Sequence, residues 1–198
     1  MPSIEADVKK DFARLFTVQD AALFKEMAEC YFRQAVFLQK ADVKMCERLR
    51  LLGRSQKRLF LGIGTELLLK AIYLKYGYSI NELENAKEAG APKFPFKFQQ
   101  VGAFKQTADK TFKMDSLITG LGDVLQARVS ADTTRGLKIA KVFRNKEGHV
   151  ILPKHTPRDA NYRDIEKALA ALYQQAFNQN LNIRVSFRPD EKGVWHLA

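Results

Sequence analysis

A chain of 198 residues, 46% of them hydrophobic, is long enough to bury a sizeable core, and the expectation is one domain over residues 1–198. Its 33 Lys and Arg against 22 Asp and Glu leave a net charge of +11, a surface suited to polyanions, nucleic acid first, or simply a soluble basic protein. Cys30, Cys46, His149, His155 and His196 fit no metal-ligand spacing, so neither a metal site nor a cofactor is expected, and the default is two buried thiols in a reducing compartment.

The charged segment Met1–Phe16 lacks an apolar signal core. The first helix is expected over residues 19–39, where Phe24, Met27, Ala28, Tyr31, Ala35 and Leu38 recur at the spacings of a core-facing stripe. A long second helix follows over residues 43–76 and ends at Gly77. Its first half is basic, with Lys44, Arg48, Arg50, Arg54, Lys57 and Arg58 against Glu47 alone. Its second half, Leu59 to Leu74, is apolar on nearly every side and belongs in a core. The most apolar window, Leu59–Leu69, is broken by Glu66 and too short to span a bilayer, so a soluble, cytoplasmic protein without a membrane partner is expected.

Residues 80–111 form an insertion in which Pro92, Pro95 and the glycines forbid a continuous helix. Phe94, Phe96 and Phe98 alternate with lysine and proline, as an edge strand or an extended segment; they either anchor the loop or stack bases. A third helix is expected over residues 114–126, presenting Leu117, Leu121, Val124 and Leu125. A fourth spans residues 131–146, capped by Asp132 or its threonines, with Ile139, Val142 and Phe143 inward. Arg135, Lys138, Lys141 and Arg144 are no true stripe, because three-residue steps drift by about 60° each. Pro153 and Pro157 bracket a loop holding His155, and a fifth helix spans residues 159–178 through Ile165, Leu169, Leu172 and Ala176. The tail, 181–198, alternates at Ile183, Val185 and Phe187 and turns at Arg188-Pro189-Asp190, the pattern of a small hairpin. The fold class is therefore all-α, a bundle of four to five helices with one long insertion and a short β-like tail.

The fourth helix closes on Arg144-Asn145-Lys146-Glu147-Gly148-His149. An arginine fork stabilises phosphate charge, and an imidazole moves protons near neutrality. That pairing is what metal-free cleavage of an RNA phosphodiester needs. The same residues also make a good helix end: Lys146 complements the dipole, Gly148 suits the left-handed cap, and His149 follows as an ordinary polar residue.

This hexapeptide resembles the signature of the HEPN superfamily: an Arg, a polar residue directly after it, and a His four to six positions on. Gly64-Thr65-Glu66-Leu67-Leu68-Leu69-Lys70 and the run to Gly77 are similar to the second core helix of that family, in which an acidic residue sits in an apolar run. A carboxylate there is costly without partners. Glu66 either forms an ion pair, with Lys70 at i, i+4 or with another helix, or orients Arg144 or His149 from behind.

The resemblance implies a HEPN-like bundle and a metal-independent endoribonuclease. His149 would be the general acid/base, Arg144 would hold the phosphate bidentately, and Asn145 would orient substrate or imidazole. Lys146 either adds field at the phosphate or is merely solvated, while Arg54 and Arg58 would extend a track for the backbone. The attacking group would be the 2′-hydroxyl of the RNA, so the products would be a 2′,3′-cyclic phosphate and a 5′-hydroxyl, and DNA should resist.

Implied partners are RNA (tRNA or mRNA), a second copy of the chain forming a symmetric dimer, and a cognate antitoxin or inhibitor protein of a toxin–antitoxin or phage-defence system. Where HEPN toxins modified by a nucleotidyltransferase carry a tyrosine, this chain has Ile151, which argues against that route of control. Two rival readings stand beside it. One is a catalytically silent HEPN-like module binding RNA, a nucleotide or a protein; the other is a plain helical interaction protein.

Overall fold

A computed structural model describes residues 20–41, 47–147, 158–189 and 195–197. The chain is mostly helical, with two short antiparallel strand pairs among the described residues. In order it has α1 (Ala21–Ala41), α2 (Glu47–Lys75), β1 (Asn81–Leu83), a single 3₁₀ turn (Phe98–Gln100), β2 (Gln106–Thr111), α3 (Met114–Thr119), α4 (Leu121–Leu125), α5 (Ala131–Glu147), α6 (Asp159–Phe177), β3 (Phe187–Pro189) and β4 (Trp195–Leu197). Two compact units result, one gathering Leu69–Ala127 with the start of α1, the other Lys25–Leu68 with the described residues from Arg128 onward.

Local chemistry sets the helix ends. The Asp20 carboxylate accepts the backbone N–H groups of Ala22 at 2.8 Å and Leu23 at 3.3 Å, starting α1. Gly77, at φ 77°, ends α2 by a Schellman closure in which its own N–H bonds Leu74 O and the Tyr78 N–H bonds Tyr73 O. The cap of α5 is Ser130, whose Oγ accepts the Thr133 N–H at 3.0 Å, in place of the expected Asp132 or threonines.

The first unit is built on aromatic rings. Tyr73 is fully buried, stacks on Phe94 at 5.8 Å between centroids, and donates its hydroxyl to Leu117 O at 2.8 Å. Phe112 completes the cluster, 4.3 Å from Phe94 and 5.7 Å from Phe96. Phe94 and Phe96 thus anchor their segment. The insertion folds as the β1–β2 pair, joining Asn81 to Thr111 and Leu83 to Gln106 with an irregular register between. The expected third helix is broken at Gly120, where any Cβ would stand 2.6 Å from the Tyr73 hydroxyl and 2.8 Å from the Phe94 ring.

The second unit is built on close helix approaches, three of them at glycines. A Cβ on Gly64 would meet the Phe32 ring of α1 at 2.6 Å. On Gly62 it would meet Arg144 Cβ of α5 at 2.5 Å and Ala140 O at 2.8 Å. On Gly136 it would run into the Asp164 carbonyl and the Ala168 side chain of α6. Two details of the expected core change. Met27 and Val142 are exposed, and Phe32, absent from the predicted stripe, is buried. Ile183 and Val185 are buried as their alternation suggests, but they precede the hairpin, whose strands pair Phe187 with Leu197, Arg188 with His196 and Pro189 with Trp195.

Buried charge holds the tail. Glu166 accepts the backbone N–H groups of Val185 at 2.5 Å and Ser186 at 2.8 Å, and the Ser186 hydroxyl at 2.9 Å. Lys57, 2% exposed, donates to the Gln39 side-chain oxygen and to Val185 O at 3.3 Å, and sits 4.2 Å from the Tyr162 ring centre.

Candidate active site at the end of α5

Gly62 and Glu66 lie one turn apart on α2, so they share a face. Because Gly62 has no side chain, α5 settles against α2 at Arg144, and the Arg144 side chain emerges beside Glu66. Its Nε lies 2.8 Å from Glu66 Oε2, and its Nη1 donates to the Asn145 side-chain oxygen at 3.2 Å. The Glu66 side chain is 12% exposed and that of Arg144 45%, so the carboxylate anchors from inside while part of the guanidinium reaches solvent. Among the described residues the rest of the fork has no further hydrogen-bond partner. Lys146, exposed in the same last turn, adds a second cation where the helix dipole favours one.

Of the residues singled out in the sequence, the structure brings Arg144, Asn145 and Glu66 together. Glu66 is the cross-helix partner of Arg144. His149 and Gly148 lie outside the described residues, as do His155 and Ile151. Lys70 belongs to the other unit, where it is buried and donates to Thr111 Oγ1 at 3.0 Å. The expected basic track along α2 is altered: Lys57 and Arg58 are buried and Arg54 is half-buried, so these three do not form an open cationic surface. Cys30 is exposed and accepts a contact from Arg33 at 3.1 Å, in place of the expected buried thiol; Cys46 lies outside the described residues. Among the described residues no three His, Cys, Asp or Glu side chains gather to hold a metal ion, and no helix is long and apolar enough to cross a membrane.

Sequence reasoning missed a second polar cluster. Lys25, Glu29 and Arg33 occupy successive turns of α1, with Lys25 and Glu29 3.2 Å apart and Arg33 and Glu29 3.7 Å apart. Tyr173 of α6 donates its hydroxyl to Glu29. Hydrogen bonding to Tyr173 and then to Glu29 raises the Lys25 pKa. Partial burial alone would push Glu29 up, but the hydrogen bonds from Tyr173 and Lys25 outweigh it and its pKa is lowered. Burial, with Glu29 alongside, pushes the Tyr173 phenol up. The i, i+4 spacing within α1 was visible in the sequence; the contribution of Tyr173, 144 residues away, was not. These groups border a pocket of about 500 Å³ floored by Phe32, Tyr173 and Ile183. No family model, curated protein or solved structure matches the chain.

Proposed function

We propose that the chain is a HEPN-type, metal-independent endoribonuclease acting through Arg144, Asn145 and His149, in a HEPN-like arrangement of α1, α2, α5 and α6. One observation carries the reading: Arg144 is anchored through Nε by a largely buried carboxylate while Asn145 and the rest of the fork remain at the surface. A guanidinium held from behind has little rotational freedom to lose on gripping a phosphate, and a fixed donor set is what stabilises a five-coordinate phosphorus. The sequence places His149 four residues past Asn145, within reach of the same phosphate if the chain turns there.

In this mechanism the His149 imidazole takes the proton of the 2′-hydroxyl as that oxygen attacks phosphorus, and the bond to the 5′-oxygen breaks. The departing oxygen receives a proton from a second acid, which a second copy of the motif supplies in a symmetric dimer. Toxin or phage-defence activity is the biological setting proposed with it. The test is incubation of purified protein with labelled tRNA and total RNA in EDTA beside His149→Ala and Glu66→Gln. Cleavage that leaves cyclic phosphates, vanishes in His149→Ala and drops about tenfold or more in Glu66→Gln supports the reading. Equal cutting of deoxy-substituted RNA refutes the chemistry. Because Glu66 also offsets the Arg144 charge, a silent RNA-binding module is the second reading; salt-sensitive RNA binding with no cleavage would select it.

A further inference from the structure

Counting back from Asn145 by alternate steps of three and four brings Val142, Lys138, Arg135 and Ala131 onto one face of α5. Arg144 points elsewhere, toward Gly62. On this outer face Ala131, Thr134, Arg135, Lys138, Ile139 and Val142 line a groove of about 570 Å³. Its floor is aliphatic: Val142 is 51% exposed, and Ile139 is half-buried beside it. Its rim is cationic. Between Asp132 and Glu147 the helix carries five basic residues and no acidic one. Arg135 is offset by Asp164 and Arg144 by Glu66, each at 2.8 Å, and Lys141 is half-buried, while Lys138 and Lys146 are exposed charges on either side of Asn145.

We infer that this face is a track for single-stranded RNA that leads the strand to the motif end of α5. The inference deepens the nuclease reading by naming how substrate is held, and it rests on that reading for the direction of the strand. Charge complementarity selects the occupant: a face whose exposed charges are all cationic attracts a phosphate backbone. The size is also suitable. Lys138 and Asn145 are seven positions apart, about 10 Å along the helix, the length of about three stacked nucleotides. Lys138 and Lys146 engage phosphates, while Ile139 and Val142 contact sugars and base faces. An aliphatic floor offers no hydrogen bonds to base edges, so recognition along the track is tolerant of sequence.

The probe is a fluorescent 2′-O-methyl oligonucleotide of mixed sequence, which lacks the attacking hydroxyl and cannot be cut by transphosphorylation. Its anisotropy is titrated with the full chain and with Lys138→Glu, Val142→Asp and, as an exposed lysine of the other unit, Lys87→Glu. Lys138→Glu should weaken binding about tenfold and lower the slope of log K against log salt by about 0.7 per lost phosphate contact. Val142→Asp should also weaken it, and Lys87→Glu should leave it unchanged, with circular dichroism melts showing all variants folded. Unchanged affinity in both groove variants overturns the track, as does an equal loss in Lys87→Glu, which would mean diffuse attraction only. A sedimentation shift in Val142→Asp without a change in affinity also overturns it, because a second copy then covers the face. Absence of cleavage in EDTA with the binding pattern intact would sink the nuclease reading and leave the track standing.

Discussion

The two units of the chain are stabilised by different means. Between Leu69 and Ala127 the interior is mainly aromatic, with Lys70 its buried charge: Tyr73, Phe94, Phe96 and Phe112 meet ring to ring, and Ser79, Asn81, Gln106 and Thr107 hydrogen-bond one another and the backbone. In the other unit, helices meet at glycines and charged side chains reach across them, as Arg144 does to Glu66, Arg135 to Asp164 and Tyr173 to Glu29. Neutral rings tolerate small shifts, whereas a carboxylate taken from water needs its partners at fixed positions. The unit that buries Lys57, Arg58 and Glu166 also holds the Arg144 guanidinium fixed at the surface.

The largest expected effect is at Glu166, whose removal leaves the N–H groups of Val185 and Ser186 buried without their acceptor. Glu166→Ala should cost about 2–4 kcal/mol in urea denaturation, and hydrogen exchange should show protection lost at Val185 and Ser186 while amides around Tyr73 and Phe112 keep theirs. Glu166→Gln should recover much of the loss, since one oxygen can still accept both N–H groups and the Ser186 hydroxyl can itself accept. Uniform loss of protection in both units would erase the distinction between them.

Gly62→Ala comes next. Alanine normally favours a helix over glycine by about 1 kcal/mol, but here the new methyl meets the Arg144 backbone N at 2.6 Å and the Ala140 carbonyl at 2.8 Å. Neither can rotate away, so α2 and α5 must separate, at an expected net cost of about 1–3 kcal/mol. Arg144 should lose its register on Glu66 as well, and the proposed RNA cleavage should fall with it. Retained cleavage with reduced stability would show that Arg144 works without its anchor.

These residues also mark what the sequence could and could not reveal. Helix existence was legible because apolar spacing and cap residues are local: α1, α2, α5 and α6 lie within a few residues of their expected bounds. The break at Gly120 was not, because the groups that crowd that position, the Tyr73 hydroxyl and the Phe94 ring, come from distant residues. Arg144, Asn145 and Glu66 were visible as residue types at the right spacing, but their meeting depends on Gly62, where no local pattern marks a helix crossing. Val142 was misassigned to the interior because a face rich in cations can still carry aliphatic groups outward. Lys57 reads as a surface charge in a basic run, and only the tail backbone at Val185 explains its burial.

A smaller effect sharpens the contrast from the aromatic side. Tyr73→Phe deletes the hydroxyl bonded to Leu117 O and keeps the stacked ring, so it should cost about 1 kcal/mol and leave the proposed RNA cleavage unchanged. Loss of cleavage in that variant would tie the aromatic unit to catalysis.

The smallest expected effect is the pH dependence of the Lys25–Glu29–Tyr173 cluster. The Glu29 pKa is lowered from its ordinary 4.5, so the stability it contributes is complete above 4.5 and is lost as pH falls through the folded-state value. Lys25 and Tyr173 are raised from 10.5 and 10.0, so their contributions are complete below those values and are lost as pH rises through the folded-state ones. The cluster thus stabilises a plateau between its acidic and basic limbs. Glu29→Gln should lower melting temperature modestly at pH 7, and the deficit against the wild-type chain should shrink as both are acidified below pH 4.5. Thermal melts at closely spaced pH values measure this directly. A deficit that stayed constant down to pH 3 would mean that Glu29 acts by packing alone and that its charge contributes nothing to holding α1 against α6.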